Sequence, residues 1–177
     1  MDHTVYLSIG TNLGDRKANI TSAIQHLCPI IKSIMCSSIY ETPPWGYEDQ
    51  PPFLNMVLTG LTEYSPVRLL KSLKVLEKDL GREESFRFGP RLIDMDILFY
   101  DQLVYSVKGL KIPHPRIAER AFVLVPMVEI APDYIHPSLN KTMSELLGDL
   151  DCEGIELIDL LDDVCADTDK KNGSNER

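Results

Sequence analysis

The chain predicts an α+β domain with a β-α-β-β-α-β order, and three observations carry that prediction. Apolar and polar residues alternate with a period of two in some stretches, the mark of strands, as in Val5 to Gly10. Elsewhere apolar residues recur with helical spacing between capping signals, as in Leu69, Leu73, Leu76 and Leu80 between Ser65-Pro66 and Gly81. The chain has 177 residues, 44% of them hydrophobic, which suits one globular domain with a sizeable core.

In the first strand Val5, Leu7 and Ile9 alternate with Tyr6 and Ser8. Gly10-Thr11-Asn12-Leu13-Gly14 is a turn; it matches neither a G-x-G-x-x-G fingerprint nor a P-loop, since no G-K-[ST] follows. Asp15 is placed to cap a helix whose inner side is Ile20, Ala23, Ile24 and Leu27, and Pro29 ends it. Ser33 to Tyr40 reads as a second strand. Residues 41–52 hold four prolines, a glycine and two aromatics, and form a long semi-rigid loop of the kind that carries function, Trp45 being the only tryptophan. Phe53 to Leu61 is a third strand, with Asn55 on the face of Phe53 and Val57, where its amide needs a core hydrogen bond or a ligand. Ser65-Pro66 opens the second helix and Gly81 closes it. Ile93 to Tyr100 is the next strand, and Gln102 to Val107 adds a short one. Ile112-Pro113-His114-Pro115-Arg116 is held stiff by its prolines. Phe122 to Ile130 reads as a helix in spite of Pro126, and Thr142-x-x-Glu145 is a capping box that opens a last short helix.

This order is the ferredoxin-like one, an antiparallel sheet with helices on one face and additional C-terminal helices, leaving the other face open for a site. From Asp162 the chain has almost no apolar residues. The expected division is therefore a domain over 1–161 and an acidic, polar, disordered tail over 162–177.

The net charge of −9 argues against nucleic acid as a partner. Yet five of the eight arginines lie between positions 82 and 120, and a local cluster in an acidic chain points to a small polyanionic ligand. No apolar run is long enough to span a bilayer, and MDHTVYLSIG lacks the basic-then-apolar order of a secretion signal. Cys28, Cys36, Cys152 and Cys165 include no C-x-x-C pair, so reduced thiols in the cytoplasm are expected.

The stretch REESFRFGPRLIDMDILFY, residues 82–100, concentrates the chemistry. Alternation puts Asp94, Asp96, Leu98 and Tyr100 on one face and Ile93, Met95, Ile97 and Phe99 on the core face. The two carboxylates start from Cα atoms roughly 7 Å apart, repel one another, and find no cation inside the motif to pair with both. A divalent cation resolves this, because Mg²⁺ is typically held by one or two carboxylates plus substrate phosphates. Arg82, Arg87 and Arg91 supply planar forks for phosphate oxygens. A solvated strand face, or a structural pairing of the aspartates with the arginines, is the plainer alternative.

The run Arg87-Phe88-Gly89-Pro90-Arg91-Leu92-Ile93-Asp94-Met95-Asp96-Ile97-Leu98 closely resembles the signature of the 6-hydroxymethyl-7,8-dihydropterin pyrophosphokinase family of folate biosynthesis. YLSIGTNLGDR, YETPPWG, QPPFLN, IPHP and Arg120-Ala121-Phe122 followed by PMVEIAP are similar to that family in the same order, over roughly residues 4 to 160. The resemblance implies transfer of pyrophosphate from ATP to the hydroxymethyl oxygen of the pterin, releasing AMP. It implies that Asp94 and Asp96 bind two Mg²⁺ ions, that Arg82, Arg87 and Arg91 serve catalysis from a mobile loop, and that Glu77, Arg87, Arg91, Ile97, His114 and Arg120 meet ATP. It places the pterin against Thr42, Pro43, Trp45, Phe53, Asn55, Phe88 and Phe122. The implied partners are ATP and the pterin, with no nucleic acid, no membrane and a monomeric or weakly self-associating chain. Two departures from the family pattern stand out: Glu83-Glu84 where many members carry another basic residue, and Phe88 where a tryptophan is common. The competing readings are a non-catalytic nucleotide- or metal-binding module on the same fold and an interaction domain that docks a protein through the Trp45 loop.

Overall fold

The computed structural model describes residues 1–83, 85, 86 and 88–160; Glu84, Arg87 and the expected tail lie outside the described residues. Strand β1 (His3–Thr11) pairs antiparallel with β4 (Phe53–Thr62) on one side and β5 (Asp94–Tyr100) on the other. Beyond β4 come β3 (Ile39–Thr42) and then β8 (Glu156–Asp159), and β2 (Lys32–Cys36) also pairs with β4. A separate hairpin joins β6 (Tyr105–Val107) to β7 (Leu110–Ile112). Every strand pair is antiparallel, and with α1 (Arg16–Leu27), α2 (Pro66–Asp79), α3 (Ala121–Ile130) and α4 (Met143–Gly148) the fold is α+β.

The capping residues act largely as their chemistry predicts. Asp15 accepts the Ala18 N–H at 3.1 Å and opens α1. Thr142 and Glu145 form the reciprocal capping box of α4. Ser65 stands at the N-cap of α2 without a side-chain capping bond, so Pro66 is the effective start signal there. Gly81, at φ +95°, ends α2: its N–H donates to the Lys78 carbonyl and the Arg82 N–H to the Glu77 carbonyl, each at 2.9 Å. That left-handed turn directs the chain from the helix back over the sheet.

The core is split by the sheet. One layer packs Ile20, Ile24 and Leu27 of α1 and Leu69 and Leu73 of α2 against Val5, Leu7, Ile9, Met56, Leu58, Met95 and Ile97. The other packs Val123, Leu124 and Met127 of α3 and Met143 and Leu146 of α4 against Val57, Leu98 and Phe99. The second face is therefore not left open as expected. Helices cover it at one end, and the uncovered end, where β1 finishes and β4 and β5 begin, carries the site. Glu129 of α3 pins this layer to β3, accepting from the Ser38 N–H, the Ser38 hydroxyl and the Tyr40 hydroxyl. Burial and that carboxylate push the Tyr40 phenol up to about 12.

Three expectations are corrected. The single strand over Ser33 to Tyr40 is two strands, interrupted at Ser37-Ser38, because Ser37 bonds to Val57 and Ser38 to Glu129 instead of continuing the ladder. Strand β8 was not expected; it closes on β3 although Leu157 and Ile158 stay exposed. On β5 the register shifts between Tyr6↔Phe99 and Leu7↔Ile97, so Leu98 is the extra residue of a bulge. The alternation reverses beyond it: Phe99 joins the α3 layer and Tyr100 the α1–α2 layer, opposite to the expected faces.

Candidate functional site

The strand register brings the site together. Gly10 pairs with Asn55 on one side and Asp94 on the other, and Ser8 pairs with Asp96. Small residues at Ser8 and Gly10 leave a trough between Asn55 and the two aspartates. A cavity of about 140 Å³ opens there, lined by Ser8, Gly10, Asn55, Asp94 and Asp96 from the sheet and by Arg91 and Arg120 above it. All seven residues assigned by resemblance to the pterin line it as well: Thr42, Pro43, Trp45, Phe53, Asn55, Phe88 and Phe122. Trp45 is half-buried rather than exposed, meeting Phe88 edge-to-face at 5.2 Å and Phe122 at 6.3 Å. The Asn55 amide donates to the buried Thr42 hydroxyl at 2.7 Å, which orients it and leaves one N–H and its carbonyl oxygen for the cavity.

Asp96 also borders a second, larger cavity of about 310 Å³, lined by Leu70, Ile97, Leu110, Lys111 and His114 among others. The β6–β7 hairpin supplies one wall of it. The aspartates thus sit where an aromatic-walled space meets a mixed one.

The aspartates are not unpaired. Arg82 and Arg91 each hold one oxygen of Asp94 at 2.8 Å, and the Lys74 ammonium lies 3.8 Å from Asp96. The plainer alternative of structural pairing is realised at Asp94, with one cation from within the motif and one from the end of α2. Glu77 organises this arrangement. It is 1% exposed and lines neither cavity; one oxygen accepts from Lys74 and the Met95 backbone N–H, the other from Arg82. Glu77 supports the Asp94–Asp96 strand from beneath, through the Met95 N–H. Arg82 likewise lines neither cavity and acts on Asp94 from the side.

The His114 Nδ1 accepts the Arg116 backbone N–H at 3.2 Å, so the neutral ring carries its proton on Nε2. Burial lowers its pKa, Asp96 opposing and the two nearby arginines reinforcing the shift. Burial likewise lowers the pKa of Arg120, though the group stays charged at neutral pH. The Arg120 Nε is buried without a hydrogen-bond partner among the described residues. A buried donor of that kind calls for an acceptor, and phosphate oxygens are the acceptors its surroundings suit.

The donor set also fits a divalent cation. Among the described residues no three His, Cys, Asp or Glu side chains converge on one point. Two carboxylates facing one trough suit Mg²⁺, which completes its shell with phosphate oxygens and water.

Sequence reasoning did not single out Ser8, Gly10, Lys74 or Asn12. Asn12, 2% exposed, ties three loops: its amide donates to Gln50 and to the Pro51 carbonyl, and its oxygen accepts the Arg91 N–H at 2.8 Å. Its place in a turn between glycines hinted at a structural role, but its partners lie 38, 39 and 79 positions away.

A family model described as 7,8-dihydro-6-hydroxymethylpterin-pyrophosphokinase (HPPK) matches residues 6–132. The chain is 44% identical to the 2-amino-4-hydroxy-6-hydroxymethyldihydropteridine pyrophosphokinase of Aquifex aeolicus, covering 80% of this chain and 89% of that protein. It is 43% identical to the protein of the same name in Methylorubrum extorquens, covering 87% of this chain and 98% of that one. It is also 40% identical to the folic acid synthesis protein fol1 of Schizosaccharomyces pombe, but spans only 22% of that protein's length. A crystal structure of Plasmodium falciparum HPPK-DHPS matches with a TM-score of 0.69 at 17% identity, over 84% of this chain and 43% of that one, a likeness of fold.

Proposed function

The chain belongs to the 7,8-dihydro-6-hydroxymethylpterin-pyrophosphokinase family, and from that membership we propose how its own residues carry out the reaction. The chain transfers pyrophosphate from ATP to 6-hydroxymethyl-7,8-dihydropterin in folate synthesis, leaving AMP and the pterin diphosphate. The observation that supports the division of labour is that Asp94 and Asp96 border the aromatic-walled cavity and Asp96 the second one as well.

The pterin ring lies among Trp45, Phe53, Phe88 and Phe122, whose faces suit a flat heteroaromatic. Asn55, oriented by Thr42, reads the ring's polar edge by donating and accepting at once. This directs the hydroxymethyl group toward the aspartates. The nucleotide occupies the second cavity against Ile97 and His114, and its phosphates reach back to Arg91, Arg120 and the aspartates. Asp94 and Asp96 would hold Mg²⁺, two ions in this reading, which would supply charge neutralisation to the phosphates. Arg82 and Arg91, held near the transfer line by Asp94, turn to the charge on the phosphates once ATP is present. The Nε2–H of His114 and the free Nε–H of Arg120 donate to phosphate oxygens. The rest of the catalysis is alignment of two bound substrates, with no covalent intermediate on the protein. Arg87 belongs to the same reading, although it lies outside the described residues.

Three finer statements complete the proposal. The strand order β5-β1-β4-β3, with two crossover helices in one layer, supports a ferredoxin-like core. In this reading the chain acts as a monomer. Cys28 and Cys152, both free thiols, suit a reducing cytoplasm. The test of the function is AMP release from Mg·ATP by the purified protein. It should require the hydroxymethyl-dihydropterin and disappear in Asp96→Ala. AMP release independent of the pterin would overturn the assignment.

A further inference from the structure

Arg116 has no role in the site described so far. It lines neither cavity, and among the described residues its guanidinium pairs with no carboxylate. Its company is aromatic: the guanidinium carbon lies 5.2 Å from the centre of the Phe88 ring and 5.6 Å from that of Trp45. These two rings belong to different loops, one before β4 and one before β5, and they meet edge-to-face.

Other contacts join the same two loops: Tyr47 and Phe86 meet edge-to-face at 5.1 Å, and Asn12 bonds both Gln50 and the Arg91 N–H. The Gln50 amide donates to the Phe88 carbonyl at 2.7 Å. Gly46, at φ +85°, lies so close that a Cβ there would come 3.0 Å from the Phe88 ring. Phe88 itself has a φ of +64°, a left-handed conformation that costs a residue with a side chain. Arg116 reaches the pair from a third segment that is well anchored. Its N–H bonds to His114, and the next residue, Ile117, is 1% exposed in the α3 layer.

We infer that Arg116 is a positioning residue for the pterin: its guanidinium, held outside the cavity, braces Phe88 and Trp45 together so that their faces are set before the ring arrives. Arg120 also touches Trp45, at 5.2 Å, but it lines the cavity and carries the unpartnered Nε–H. Phosphate therefore draws Arg120 away from the indole, and among the described residues Arg116 is the cation that stays over it. The brace matters more with phenylalanine at position 88, since this ring has no N–H with which to secure itself. This inference rests on the pterin-pocket reading above.

The test uses the full chain with Arg116→Met, which keeps length and removes charge, and Arg116→Lys, which keeps charge. Binding of 6-hydroxymethylpterin is measured calorimetrically in the presence of Mg²⁺ and a non-hydrolysable ATP analogue, and binding of the analogue alone is measured separately. Emission from Trp45, the only tryptophan, reports on the brace directly. Arg116→Met should weaken pterin binding about fivefold to tenfold, the size expected for losing cation–ring contacts in a half-desolvated setting. It should alter Trp45 emission in the ligand-free protein and leave binding of the analogue within about twofold. Arg116→Lys should recover most of the pterin affinity. Unchanged pterin affinity in Arg116→Met overturns the inference, and so does an equal loss for the ATP analogue, which would make Arg116 a phosphate contact. Failure of the unsubstituted protein to bind the pterin overturns the pocket reading itself, and the brace with it.

Discussion

Asp94 and Asp96 stand two residues apart on one strand, yet removing each should damage the protein differently. In Asp94→Ala, Arg82 and Arg91 lose a carboxylate that each holds at 2.8 Å, and two guanidiniums are left facing one another. The side chains are between 22% and 25% exposed, so the pairs are neither solvated nor fully buried. Exposed ion pairs contribute about 0.2–1 kcal/mol each, whereas breaking a buried pair costs about 3–5 kcal/mol. A loss of about 2 kcal/mol is expected in total, because Arg82 keeps Glu77 as a partner. In Asp96→Ala the one ion pair lost among the described residues is the 3.8 Å approach of Lys74, the lysine is 40% exposed, and it too keeps Glu77. That should cost about 0.5 kcal/mol or less. At about 2–4 °C per kcal/mol for a domain of this size, Tm should fall by about 4–8 °C in the first variant and about 2 °C or less in the second. Both should lose turnover, since each removes a carboxylate from the trough proposed to hold metal and phosphate. Thermal unfolding by circular dichroism, run beside an AMP-release assay, separates the two effects, and added salt should shrink the larger Tm shift. Equal Tm shifts would refute the pairing argument, and near-normal turnover in either variant would refute the metal assignment.

Asn12→Ala removes three part-buried hydrogen bonds and should cost about 2–3 kcal/mol in urea unfolding; it should also lower kcat, because the Arg91 N–H loses its acceptor. Gly10→Ala would place a Cβ 2.7 Å from the Asn55 oxygen. It should raise the KM for the pterin about tenfold and change that for ATP little, as steady-state kinetics would show. His136 is buried away from the site, and its Nδ1 accepts the N–H groups of Ser138 and Leu139. Burial depresses its folded pKa, so the unfolded chain takes up the proton first, and stability falls as pH drops below the ordinary value near 6.5. His136→Asn keeps an acceptor that does not titrate, and should flatten the Tm-against-pH curve between about pH 5 and 6.5. An unchanged slope would show that other groups, such as the carboxylates and the buried His114, govern that limb.

The sequence by itself determined most of the elements and drew attention to most residues of the candidate cavity. Asp15, Gly81 and the Thr142–Glu145 box act within one helical turn of where they stand, so their chemistry is readable without neighbours. Alternation put Asp94 and Asp96 on one face for the same reason, since side-chain direction along a strand is local geometry. The ordered motifs of the family carried the seven residues assigned by resemblance to the pterin, all of which line one cavity.

Only the tertiary structure decided who pairs with whom. The bulge at Leu98 arises from the register of β5 on β1, and it moved Phe99 and Tyr100 to the faces opposite to those that alternation predicts. Arg82 on Asp94, Glu77 beneath Met95, Asn12 beneath three loops and Gly10 between Asn55 and Asp94 are all contacts across strands or loops. Each depends on which strands lie side by side and in what register. Long-range burial and pairing settle that, and periodicity within any one segment carries no trace of it.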